Sequence, residues 1–456
     1  MAASVRRSQF AVPMPQEPGD GTDETESMEE SMGPLEESGE TVSEEEELDD
    51  AVADDIDRFE ASFKNITQRY RLINRIGEGT FSTVYKAEDL LYDHYKNDWD
   101  VDHDKENVDA NATTVKQAHD RSKPRFVAIK KIYVTSSPLR ILNELELLND
   151  LKHFSNVCPL ITAFRHQDQV IAILPFFPHK DFRDYYREFS VEDMRVYFHS
   201  LFTALKWTHR SHIMHRDIKP TNFLYSPSQR RGVLVDFGLA EREGTDYHHC
   251  TCCYKEKDRT RKINTSVYAA TLNAAQATNQ APPPPSYPSN DQRPSRRANR
   301  AGTRGFRAPE VLLKCTAQTS VIDVWSCGII LLTFLSKRFP FFHSADDIDA
   351  FIELCCIFGK KKMKDVALLH GQVLQTNIPT ISENGHSWEK IILWCTGRSK
   401  KDPAPGAGGL SKEEQEAVAF MSCCLELDPN KRITAAGAVD HPFLASVDVQ
   451  SEGMAH

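Results

Sequence analysis

No apolar run in this 456-residue chain approaches the roughly 20 residues that a bilayer-spanning helix needs, so no membrane association is expected. The opening MAASVRRSQF has two arginines but no apolar stretch behind them, and a secretory leader is not expected either. The eleven cysteines form no compact framework; they are scattered from Cys158 to Cys424, which is the usage of a reducing compartment. No internal repeat is present. Basic residues are missing locally: residues 8–57 contain no Lys or Arg but 19 Asp and Glu. Without that stretch the net charge of −11 becomes +8, so a basic body carries an acidic tail. A run of this kind cannot bury enough apolar surface to offset its ordering entropy, and residues 1–58 are expected to be a disordered acidic tail.

The rest, in a chain that is 40% hydrophobic, is sufficient for one sizeable core. Order is expected from Phe59, and YRLINRIGEG alternates apolar and polar residues as a half-buried strand does. A polar, Asp- and Asn-rich insertion over about 91–124 precedes FVAIKKIYV, which reads as a second strand. Helical periodicity runs through LRILNELELLNDL and again over 191–209. A second biased stretch, about 242–300, holds HHCTCCYK, four prolines at Pro282–Pro285 and the basic RPSRRANR, and is expected to be loop or extended chain. Apolar helices follow near 324–335 and 350–358, and a last one near 412–427.

Four motifs carry chemistry. IGEGTFSTV sets Gly77 and Gly79 in a strand–turn–strand context, with Ser82 where a third glycine often sits and Val84 two residues on; taken alone it is as well read as a plain hairpin. In Val127-Ala128-Ile129-Lys130 an ammonium can reach the α- and β-phosphates of a nucleotide while Ala128 offers an apolar wall to the base. The helix that follows supplies Glu144 to pair with Lys130; Glu146 competes, but Leu145 and Leu148 flank Glu144 on the inner face. HRDIKPTN fixes three polar groups in eight residues: Asp217 to accept a hydroxyl proton, Lys219 to neutralise a γ-phosphate, and Asn222 to offer an oxygen to magnesium. Asp236-Phe237-Gly238 ends an apolar strand and places a second carboxylate for that cation. Ala308-Pro309-Glu310 and Asp323-Val324-Trp325 complete the set in order.

From about Phe59 to Phe443 the sequence therefore resembles protein kinases. The implied architecture is an α+β, bilobal eukaryotic kinase fold with long inserts: a β-rich small lobe over 59–178, a larger helical lobe over 179–443 and a terminal tail over 444–456. Lys219 resembles serine/threonine kinases. The resemblance makes ILPFFPHKDF the interlobe hinge, with Leu174 as gatekeeper and Pro175 to Phe177 offering backbone groups to adenine, and makes Ile76, Glu78 and Leu224 further nucleotide contacts. It also pairs Arg432 with Glu310 as a structural ion pair. Closer still, ANRAGTRGFRAPEVLLKC, DVWSCGIILLTFLSKRFPFF and LCCIFGKKKMKDVALLHG are similar to the cell-division-cycle-seven kinases. That likeness implies ATP and Mg²⁺, an activating subunit of the dumbbell-former type, acidic Ser/Thr substrates in the MCM replicative helicase, and location in the nucleus. A pseudokinase scaffold is opposed by the presence of Lys130, Asp217 and Asp236, and a casein-kinase-like enzyme by the long insert before GTRGFRAPE.

His248, His249, Cys250, Cys252 and Cys253 are zinc-ligand types, but their spacing is poor for four ligands from one segment and the insert supplies no second pair. Free, mobile side chains are the expectation there. RPSRRANR and KKKMK are read as solvated basic faces, with no direct nucleic-acid binding expected.

Overall fold

The computed structural model describes residues 49–63, 65–79, 82–95, 97, 125–133, 136–166, 168–245, 249–278, 302–399 and 409–445. Its first element corrects the expected tail boundary. Helix α1 (Asp50–Ser62) starts inside the acidic run, where the Asp49 side chain caps it by accepting from the Ala51 amide. Val52, Ile56, Phe59 and Phe63 recur at helical spacing and turn one stripe toward the protein. Phe59 is fully buried and stacks on Tyr85 with ring centroids 5.0 Å apart. The charge count hid this stripe; Asp54 and Asp57 are exposed, while Asp55 accepts from the Tyr85 hydroxyl (2.6 Å). The remainder of the expected tail, with 98–124, 279–301 and 446–456, lies outside the described residues.

α1 covers one face of a five-stranded antiparallel sheet. Its strands are β1 (Tyr70–Glu78), β2 (Ser82–Asp89), β3 (Phe126–Ile132), β4 (Thr162–His166) and β5 (Gln169–Pro175), in the order β1-β2-β3-β5-β4. The register decides what meets on the opposite face. Val84 faces Lys130 across β2 and β3, and Ala128 faces Leu174 across β3 and β5, so these four side chains line one surface. Helix α2 (Pro138–Asp150), opened by a proline at its first position, buries Ile141, Glu144, Leu147 and Leu148.

The large lobe is built round α3 (Val191–Arg210), whose Ser190–Asp193 capping box fixes its start. Short strands β6 (Ile213–Met214), β7 (Phe223–Ser226), β8 (Arg231–Leu234) and β9 (Glu241–Arg242) carry the loops of interest, in the pairs β6–β9 and β7–β8. The second insert is not all loop, as composition implied: α4 (Glu256–Asn264) and α5 (Val267–Ala277) occupy its first half. The Ser266 hydroxyl caps α5, and its Ala-rich sequence favours helix. Further on come α6 (Val321–Ser336), buried along its whole length, then α7 (Asp347–Phe358), α8 (Lys360–Leu369), α9 (Trp388–Cys395) and α10 (Lys412–Cys424). An apolar helix buried on every side is the central post of a lobe, and the aromatic cluster round Phe334 packs against it.

Candidate active site

The sheet and α2 bring their charges together where the two lobes meet. Lys130 Nζ lies 2.7 Å from Glu144 Oε1 and 3.0 Å from Asp236 Oδ1, joining β3, α2 and the loop after β8. Burial alone would lower the pKa of the Lys130 ammonium, but Glu144 and Asp236 outweigh it and raise that pKa. Lys130 in turn draws the Asp236 carboxyl down to about 2, against its partial burial. Glu144 is buried and Glu146 exposed. α2 is tied to the same loop by Arg140 Nε donating to the Gly238 carbonyl (2.6 Å) and Asn143 donating to that of Ala240 (2.9 Å).

Asp217 lies at the centre of the second half. Its Oδ1 accepts from the amide and hydroxyl of Thr303 (2.9 and 2.8 Å), and its Oδ2 accepts from Asn222 Nδ2 (3.1 Å) with Lys219 Nζ 3.2 Å away. Four donors fix the carboxylate's orientation. Asn222 spends its amide nitrogen on Asp217, so its oxygen is the atom it can offer a cation. With the Asp236 carboxylate, this makes a hard oxygen pair suited to Mg²⁺. The loop that carries Asp217 hangs from Asp323 at the start of α6, which accepts the amides of His215 (2.9 Å) and Arg216 (2.7 Å) and lies 2.8 Å from His209 Nε2. Burial alone would raise the Asp323 pKa; the His209 hydrogen bond and nearby charges hold it below the ordinary value. Thr303 and Asp323 are therefore part of this site, although sequence reasoning gave neither a role there. Thr303 stood in GTRGFRAPE, a stretch read only for its likeness to the family, and Asp323 in a motif read only for order.

The nucleotide-facing residues lie as the register dictates. Gly77 pairs with Val84 in the β1–β2 hairpin, and the Gly79 amide closes it on the Ser82 carbonyl (2.9 Å). Ile76 is exposed, and the Glu78 side chain turns to Arg75 (3.0 Å). Ala128 and Leu174 are paired across β3 and β5, Pro175 ends β5, and Leu224 is half-buried in β7. Phe177 lies in the connector, its carbonyl 2.9 Å from the His179 ring, and Lys86 Nζ lies over both Phe126 (4.4 Å) and Phe176 (4.9 Å), which clamps the connector to the sheet.

A separate cluster corrects the reading of the cysteines. Cys250 and Cys252 are not free and mobile but buried, and they meet two residues far along the chain, Cys315 and His370. All four ligand atoms lie within 4.8 Å of one another, with Cys252 and Cys315 sulfurs 3.7 Å apart and Cys250 Sγ 3.9 Å from His370 Nδ1. A tetrahedral zinc with bonds of about 2.3 Å sets its sulfurs about 3.8 Å apart, so the residues fit that ion. The Ala317 amide points at Cys315 Sγ (3.4 Å), and Cys250 is pushed well below the usual thiol range by hydrogen bonds from Cys252 and Cys315, which are themselves pushed up by those same bonds to Cys250. His249 and Cys253 are exposed, and His248 lies outside the described residues. Nothing local in the sequence marked Cys315 and His370, which are separated from their partners by 63 and 120 positions.

A two-lobed fold with a Lys–Glu pair, a fixed aspartate and a metal-competent Asp and Asn at the cleft defines a protein kinase, and the family described as protein kinase domain matches residues 110–271 and 288–444. Among curated proteins the chain is 48% identical over 401 residues to the fission-yeast (Schizosaccharomyces pombe) cell cycle serine/threonine-protein kinase hsk1, covering 86% of this chain and 75% of that one. It is 41% identical over 404 residues to the cell cycle protein kinase spo4 of the same yeast, covering 88% and 90%. To the human cell division cycle 7-related protein kinase it is 25% identical over 563 residues, covering 87% and 93%. The chain belongs to the cell-division-cycle-seven family of serine/threonine protein kinases.

Proposed function

We propose that this kinase phosphorylates serine or threonine followed by acidic residues, the tails of the MCM replicative helicase among them, and so triggers DNA replication in the nucleus. We propose further that it works as the catalytic half of a pair with an activating subunit of the dumbbell-former type. The observation that carries the acidic preference is the placement of Arg304. Thr303 donates to Asp217, the group that would take the acceptor's proton, and Arg304, the residue after Thr303, is exposed. Arg307 is engaged otherwise, by Asp347 (2.5 Å) and the Gly302 carbonyl (2.9 Å). In this reading Lys130, Glu144 and the Gly77–Gly79 hairpin position ATP, Asp217 takes the hydroxyl proton, and Lys219 neutralises the transferred phosphate. Asp236 and Asn222 would hold Mg²⁺, which when bound neutralises charge developing on the phosphates. Positioning and fixed electrostatics supply most of the acceleration.

The test is an assay on an acidic helicase tail, with and without the copurifying subunit, and on a peptide series varying the residue after the acceptor. The pair should be far more active than the single chain, and Arg304→Ala should lose most of the preference for Asp or Glu over Ala, a charge-assisted contact of about 1.5–3 kcal/mol. Equal activity of the two preparations removes the partner; an unchanged preference in Arg304→Ala removes its reader.

We also propose that Cys250, Cys252 and Cys315, as thiolates, and His370 bind one zinc ion, because the spacing of their four buried ligand atoms is that of a tetrahedral site. It would fasten the start of the second insert to Cys315, ahead of α6, and to His370 at the end of α8. Purified protein should contain one zinc per chain, Cys315→Ser should lose it, and a chelator should lower the melting temperature. Protein purified without zinc but with the same melting temperature excludes the site.

A further inference from the structure

We infer that Glu241 is a positioning residue that takes the place of an activating phosphate, so that this kinase needs no phosphate on the segment between β8 and α6. The inference rests on the kinase assignment alone, and not on the acidic substrate, the partner or the zinc.

Arg216 lies between His215 and the reactive Asp217. Its side chain is only 2% exposed, and its Nη1 lies 2.5 Å from Glu241 Oε2. Its amide is fixed by Asp323, and its φ of +71° lies in the left-handed region, so the residue is held by what surrounds it. Both ends of the segment meet at this arginine. At the near end Glu241 opens β9, whose pairing of Glu241 with Met214 sets the carboxylate beside the loop that carries Asp217. At the far end Gly302, with φ +100°, packs on the Arg216 carbonyl so closely that a Cβ would lie 2.3 Å from that oxygen. Thr303, the next residue, donates twice to Asp217.

The physical need is plain. A guanidinium cannot be deprotonated, and one buried without an anion is strongly destabilising. In many kinases the anion is a phosphate added to the loop, which orders it through new Arg–phosphate pairs. Here the sequence supplies a carboxylate at the required place, on a strand already paired to the catalytic loop. A phosphate brought to the same arginine would meet the Glu241 charge and be repelled. The ordering of Gly302 and Thr303 under Asp217 is therefore built in.

The experiment uses the full chain, purified with any copurifying subunit, and measures initial rates after phosphatase treatment, with removal of phosphate verified by mass spectrometry. Wild-type kcat should survive the treatment. Glu241→Gln, which keeps shape and removes charge, should lower kcat by about 10- to 100-fold, the scale of a slightly misplaced catalytic group, with KM for ATP unchanged. Glu241→Asp should restore a large part of kcat, which a purely space-filling role would not predict. Loss of wild-type activity on dephosphorylation overturns the inference, and so does a Glu241→Gln enzyme with wild-type kcat. Should Glu241→Gln fail to fold, the dephosphorylated wild type and Glu241→Asp still decide it.

Discussion

Replacing Asp236 by Asn or Lys130 by Ala is expected to abolish phosphoryl transfer, lowering kcat by about 10³-fold or more, since each removes a full charge from the groups that hold metal and phosphates. The two variants differ in what they leave behind. Asp236 is nearly half exposed at its side chain, and an asparagine oxygen can still accept from Lys130, so Asp236→Asn should fold as the wild type does. Lys130→Ala leaves the buried Glu144 without its cation and should cost some stability besides. Asp236→Asn is therefore the cleaner test, by incorporation of radiolabelled phosphate beside a thermal melt. Turnover within tenfold of wild type in a folded variant would remove Asp236 from the metal site.

The same pair sets a pH expectation. A carboxyl whose folded pKa is depressed contributes stability above its unfolded value of 3.8, and that contribution is lost as pH falls through about 2. An amine whose folded pKa is raised contributes below 10.5 and loses the contribution as pH rises through its higher folded value. The Lys130–Asp236 contact is thus complete from about pH 4 to pH 10. No limb of the activity profile near neutrality should come from it.

The reacting groups were legible because their chemistry needs certain residue types at short fixed spacings, as in the eight residues from His215 to Asn222. The kinase fold followed from the order of such motifs. What stayed hidden depended on contacts between distant segments or on two signals in conflict. Cys315 and His370 join Cys250 and Cys252 only through the fold. In α1 the stripe of Val52, Ile56, Phe59 and Phe63 was outweighed by the surrounding carboxylates, although a helix accommodates both, with Asp54 and Asp57 in solvent and Asp55 satisfied by the Tyr85 hydroxyl. In the second insert four prolines beyond Thr278 set the reading for the whole stretch, while Ser266 and the alanines after it specify α5. Glu241 had no motif, and only the β6–β9 pairing places it against Arg216.

The second large effect is one of stability. Arg432→Met is expected to lower the unfolding free energy by about 3–5 kcal/mol, the cost of breaking a buried ion pair from one side. Arg432 and Glu310 side chains are 0% and 1% exposed, and they meet twice, Nη1 to Oε1 at 2.5 Å and Nη2 to Oε2 at 2.9 Å. The guanidinium also donates to the carbonyls of Val321 (3.0 Å) and Glu426 (2.9 Å) and lies 5.1 Å from the Trp325 ring. It thereby joins the Ala308-Pro309-Glu310 stretch, the start of α6 and the loop after α10. Removing the arginine leaves a carboxylate in a space closed to water, whereas removing both charges leaves neither unpaired. The double variant Arg432→Met/Glu310→Met should consequently recover much of the loss, as replaced buried pairs commonly do. Urea unfolding reads both effects as shifts of the midpoint at constant slope. Salt sharpens the contrast: screening weakens exposed pairs such as Arg71–Glu88 but barely reaches one shut from solvent, so the deficit of Arg432→Met should persist in high salt. A loss of unfolding free energy below about 0.5 kcal/mol, the range of ordinary surface substitutions, would show that the pair does not hold the lobe together.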